Sequence, residues 1–85
     1  MKIAFSPSFL RQLKKCEPDL RDEALEKIDI FRRDQKDRSL KTHKLKGKLK
    51  GRLSFSVNYK IRIVFKYLSP EEVVLLAIGD HDIYK

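Results

Sequence analysis

The stretch Leu53-Ser54-Phe55-Ser56-Val57-Asn58-Tyr59-Lys60-Ile61-Arg62-Ile63-Val64-Phe65 decides how this chain folds. Apolar or aromatic residues take the odd positions and polar ones the even positions, Val64 excepted, and Asn58 interrupts the alternation. A period of two is the mark of extended chain with one face buried, and Asn is a turn residue. The segment predicts two antiparallel strands joined at Asn58, with odd residues on the core and even residues on the opposite face. The alternation begins further upstream, where Leu45, Gly47, Leu49 and Gly51 stand between Lys44, Lys46, Lys48, Lys50 and Arg52. An extended stripe and a turn fit this upstream part equally, because two of its residues are glycine.

Downstream, Ser69-Pro70-Glu71-Glu72 reads as a second turn, and Val73 to Ile78 is apolar on both faces, as a central strand is. Gly79 ends it. Towards the N-terminus the period becomes helical. Ser6-Pro7 is an N-cap followed by proline at the first helical position, and Phe5 and Leu10 take the positions of a hydrophobic staple. Phe9, Leu10, Leu13 and Cys16 share one face, so the first helix runs to about Cys16. Glu17-Pro18-Asp19 ends it and starts a second helix, in which Leu20, Ala24, Leu25, Ile28 and Phe31 recur at helical spacing. Acidic residues crowd its first half and Arg32 and Arg33 its end, which complements the helix dipole. Lys2 to Phe5 is a short strand. The expected fold is therefore α+β: an N-terminal strand, a two-helix hairpin, then a three-stranded antiparallel meander, all in one sheet packed on the helices, as a single domain over residues 1–85.

At 85 residues the core is thin. Charged residues reach 38%, against the ~25% usual in soluble domains. The longest apolar run, Val73 to Ile78, is far short of the ~20 residues that span a membrane, so no membrane association is expected. The apolar start Ile3-Ala4-Phe5 stops at Ser6-Pro7 and does not read as a signal peptide. Cys16 is the single cysteine, which excludes an intrachain disulfide and makes a cytoplasmic location the expectation. One Cys and two widely separated His match no zinc spacing, so neither a metal nor another cofactor is expected.

The formal charge is +8, and it is concentrated. Residues 36–52 carry eight basic side chains and only Asp37 against them, whereas residues 1–35 and 53–85 are close to neutral. Such a block points to a polyanion such as nucleic acid, or to an acidic protein partner. The even positions of the two strands add Arg52, Lys60, Arg62 and Lys66 with Ser54 and Ser56, and no carboxylate. If residues 44–50 are extended, alternate lysines stand ~6.6 Å apart and can follow a sugar-phosphate chain. Lys44, Lys46, Lys48, Lys50, Arg52 and Lys60 are accordingly the candidate phosphate-binding residues.

Three segments carry a resemblance: His43-Lys44-Leu45-Lys46-Gly47 ahead of the hairpin, Tyr59-Lys60-Ile61-Arg62-Ile63-Val64-Phe65 within it, and Leu76-Ala77-Ile78-Gly79-Asp80-His81-Asp82-Ile83-Tyr84 at the end. In this order and spacing the chain resembles the RelE/ParE superfamily of toxins over essentially its whole length. The resemblance implies a type II toxin, monomeric when free, made with a cognate antitoxin from the same operon. In the RelE branch it implies a metal-independent endoribonuclease that cleaves messenger RNA on the ribosome and stops translation. There the ribose 2′-hydroxyl attacks the neighbouring phosphate, which calls for a base, an acid and cations for the phosphorane. Carried over by position, Arg62 is the phosphate-holding arginine, His81 the proton carrier and Tyr84 the terminal aromatic that stacks on a base or assists proton transfer. The chain departs from the family where relatives carry lysines or a glutamate as base: Arg52, Ser54 and Ser56 stand there. The resemblance thus leaves open a ParE-like inhibitor of DNA gyrase and a catalytically inert nucleic-acid-binding homologue.

Overall fold

A computed structural model describes residues 1–80 and Ile83. Its N-terminal strand β1 (Lys2–Phe5) leads into helix α1 (Pro7–Lys15), and Ser6 caps that helix as expected, its Oγ accepting from the Phe9 N–H at 3.0 Å. The same hydroxyl donates to the Leu76 carbonyl at 3.3 Å, so one side chain both starts the helix and ties it to the sheet. The aromatic partner of Phe5 is Phe9, with ring centroids 5.9 Å apart, rather than the expected Leu10, which is exposed. Helix α2 (Pro18–Arg33) begins at the proline, and its core side is Ala24, Ile28 and Phe31. Leu25, expected on that side, is exposed on the flank.

A 3-10 turn at Arg38–Leu40 follows, buried through Leu40. Its N-cap is Asp37, whose carboxylate accepts from the Ser39 hydroxyl and N–H, and these bonds hold its pKa below the ordinary value. Next come a two-residue strand β2 (His43–Lys44), a 3-10 turn at Gly47–Leu49, β3 (Leu53–Ser56), β4 (Arg62–Ser69) and β5 (Glu72–Gly79). The sheet order is β1-β5-β4-β3-β2. The β1–β5 pair is parallel and the others are antiparallel. The α+β class and the order of elements are those expected, with β2 as an additional strand at the edge. β5 is interior, as its two apolar faces require, but β4 is the middle strand.

The structure decides between the two arrangements that fit the upstream part of the alternating segment. Residues 45–52 are not extended: Gly47 (φ 67°) and Gly51 (φ 91°) take left-handed backbone, and the Leu49 N–H and Lys50 N–H close a tight turn on the Lys46 and Gly47 carbonyls. Glycine adopts those angles without a Cβ penalty, so here turn chemistry overrides the period-two pattern. The strand-to-strand turn does form at Asn58, whose side chain accepts from the Lys60 and Ile61 N–H groups.

The core lies between the helices and one sheet face. Phe31 stacks on Phe55 at 4.8 Å and meets Phe65 edge-on at 4.8 Å, with Phe9, Ile63, Val73, Leu75 and Ile78 around them. Among the described residues no helix is long and apolar enough to cross a membrane. Truncating a buried phenylalanine typically costs about 3–5 kcal/mol, a large share of the stability of a small domain. Phe31→Ala is therefore expected to unfold most of the protein, while Leu25→Ala on the same helix shifts stability by less than about 0.5 kcal/mol. Urea denaturation followed by circular dichroism compares the two.

Candidate active site

Sheet parity builds the site. Ile63 and Phe65 sit in the core, so Arg62, Val64 and Lys66 project from the other face of β4. Residues opposite one another in a ladder share a face. Ser56, Arg62 and Gly79 therefore form one row across β3, β4 and β5, and His43, Ser54, Val64 and Ala77 form the next row from β2 to β5. This face is not the open polar surface the alternation suggested. Ser54, Ser56 and Val64 are buried, and Arg62 is half-buried. Serine is short and lies low among longer cross-strand neighbours. Ile83 also lies against this face: its N–H donates to the Asp80 carbonyl at 3.1 Å, and a Cβ added at Gly79 would stand 2.5 Å from Ile83 Cγ2. Because Gly79 is opposite Arg62, the Ile83 side chain occupies the ground beside that arginine, where only a glycine leaves room.

Arg62 Nη1 is buried and has no hydrogen-bond partner among the described residues. Buried polar atoms are ordinarily paired, and a guanidinium holds an anion with two parallel N–H groups.

The structure scatters some of the other candidates. Lys60 is exposed in the turn before β4 rather than on the strand face. Lys44 lies opposite Leu53 and so belongs to the other parity from His43. Lys46 and Lys50 flank the 3-10 turn and Lys48 lies within it, all three exposed, as is Arg52 just before β3. His81 and Tyr84 lie outside the described residues. One candidate was missed: His43 is exposed on the Arg62 face, its Cα about 12 Å from that of Arg62 by strand spacing and rise. Its motif was noted, but its side of the sheet follows only from its pairing with Ser54.

No protein-family model matches the chain, and no curated protein matches its sequence. Solved structures do. YafQ from E. coli superposes with a TM-score of 0.79 at 15% identity, covering 96% of this chain and 94% of that one. The YoeB/ParE toxin from Agrobacterium tumefaciens gives 0.77 at 18%, covering 95% and 99%. The toxin–antitoxin complex RelBE2 from Mycobacterium tuberculosis gives 0.77 at 20%, covering 94% and 96%. This chain has the RelE/ParE toxin fold. At these identities the likeness is one of fold, and in this RelE/ParE fold the chemistry has to be read from the side chains described above.

Leaving a buried donor unpaired costs about 1–3 kcal/mol. Arg62→Met keeps the stem and removes the guanidinium, so the variant is expected to be as stable as wild type or more so. Inorganic phosphate should raise the melting temperature of wild type and leave that of Arg62→Met unmoved. A phosphate titration by differential scanning fluorimetry measures both.

Proposed function

We propose that this chain is the toxin of a type II toxin–antitoxin system and cleaves messenger RNA on the ribosome, Arg62 holding the phosphate that reacts. The observation that carries the reading is the buried, unmatched Arg62 Nη1 on the helix-free face of a RelE/ParE fold. In the proposed step the ribose 2′-oxygen bonds to the adjacent phosphorus while the bond to the 5′-oxygen of the next nucleotide breaks. A base takes the 2′ proton, an acid gives one to the departing 5′-oxygen, and the products are a 2′,3′-cyclic phosphate and a free 5′-hydroxyl. Arg62 neutralises the charge that grows on the non-bridging oxygens. His43, on the same face, is a proton carrier at the distance a bound nucleotide bridges, and imidazole suits proton exchange near neutral pH. His81 retains the role of proton carrier, as base or acid, and Tyr84 that of the aromatic that stacks on a base or assists proton transfer, as the resemblance implies.

Cleavage on programmed ribosomes is the test. Losing a positioned acid or base costs ~10²–10⁴ in rate, and losing one oxyanion donor costs ~10²–10³. Arg62→Ala, His43→Ala and His81→Ala, each confirmed folded, are expected to fall in those ranges. Undiminished cleavage in any of them removes that residue from the site. Wild-type protein that leaves mRNA intact and instead causes gyrase-dependent DNA breaks would overturn the ribonuclease reading.

The partner follows from the same reading. RelBE2 is a toxin–antitoxin complex in this fold, and the thin core of an 85-residue chain suits a partly disordered antitoxin segment that wraps the helical hairpin and lies near the basic face. Co-expression with the product of an adjacent small reading frame should yield a co-purifying complex, stabilised by ~2.7 kcal/mol when free partner stands at a hundred times its Kd. A toxin that purifies alone and melts unchanged contradicts this.

A further inference from the structure

The turn between β2 and β3 makes a cup. Between β2 and β3 the chain folds around a cavity of about 510 Å³, lined by Lys44, Lys46, Lys50 and Arg52 with Leu45 and Leu53 among them. Lys48 is not part of the lining. No carboxylate lines the cup, and none of its four cations is ion-paired among the described residues. Its surface is mostly apolar inside a basic rim. The two glycines of the turn leave its wall open, since a Cβ at either would meet nothing within 4 Å. The cup stands at the start of β3, and Ser56, opposite Arg62, stands at its end.

Convergent cations around an apolar floor suit a ligand that is flat and apolar at one end and anionic at the other. The geometry points to one nucleotide of a single-stranded RNA, its base laid against Leu45 and Leu53 and its flanking phosphates held by Lys46, Lys50 and Arg52. Phosphate contacts of this kind fix register without reading sequence. An extended acidic peptide fits less well: its carboxylates match the cations but it brings no flat apolar group to the Leu45 and Leu53 floor, and β2 is a two-residue edge with almost no ladder for an added strand. The cup is thus a second anchor for the same strand, separate from the reacting phosphate. The inference deepens the proposed function and rests on its view of RNA as the substrate.

Fluorescence anisotropy with a labelled single-stranded RNA octamer tests it, on Arg62→Ala protein so that cleavage plays no part. Each lost phosphate contact flattens the slope of log affinity against log salt by ~0.7. Lys46→Gln with Lys50→Gln should therefore lower affinity and flatten the slope by about 1.4, while Lys48→Gln has a clearly smaller effect. An octamer of abasic sugar-phosphate should bind several-fold more weakly than the RNA, and poly-glutamate should not displace it. Equal losses from Lys48→Gln and Lys46→Gln, equal binding of the abasic strand, or displacement by poly-glutamate would each overturn the cup as a nucleotide site. Cleavage by otherwise wild-type protein, measured beside it, separates that failure from failure of the proposed function: intact cleavage with no cup binding discards the cup alone.

Discussion

The contact of Phe31 with Phe55 and Phe65 is the constraint from which the rest of the molecule follows. It joins α2 to two neighbouring strands at once. A slip of one residue in either strand would turn its whole apolar set outward, so the aromatic triad fixes the register of β3 on β4 and the face of every residue along them. Arg62 stands away from the helices because its neighbours Ile63 and Phe65 cannot. The two serines and His43 share its face for the same reason.

That face carries a cost that the core does not explain. A sheet surface with a buried guanidinium nitrogen left unmatched among the described residues is less favourable than an apolar one of the same shape. Proteins tend to break the local rules of packing where function requires it. The remaining charge is handled differently: Asp29 of α2 takes up both Arg32 and Arg33, and the lysines of the β2–β3 turn have no ion pair among the described residues. Positive charge is thus left free at one edge of the sheet and held fixed in its middle.

Much of this was legible from the residues alone. Ser6-Pro7 and Glu17-Pro18 marked both helix starts because capping and proline geometry act within a few residues. The alternation from Leu53 to Phe65 gave the hairpin and the side on which Arg62 stands, because parity is a local property. What the pattern could not convey was non-local. The run of lysines and leucines left stripe and turn equally open, and only the folded backbone, with positive φ at both glycines, chooses the turn. Ser54 and Ser56 look like solvated residues until their cross-strand neighbours are known. His43 needed a pairing partner before its face had any meaning.

The parallel ladder between β1 and β5 joins Lys2 to Glu72 and Phe5 to Leu75, and the Ser6 hydroxyl reaches the Leu76 carbonyl across almost the same span. The first strand thus has no partner until the last strand exists. During synthesis the N-terminal segments emerge into solution long before β5 leaves the ribosome, and α1 and α2 can form while the sheet that should hold them is still incomplete. Contacts this distant in sequence slow folding. The face that bears Arg62 is therefore complete only once residues 72–79 have joined β4, so its assembly waits on a segment made after both helices.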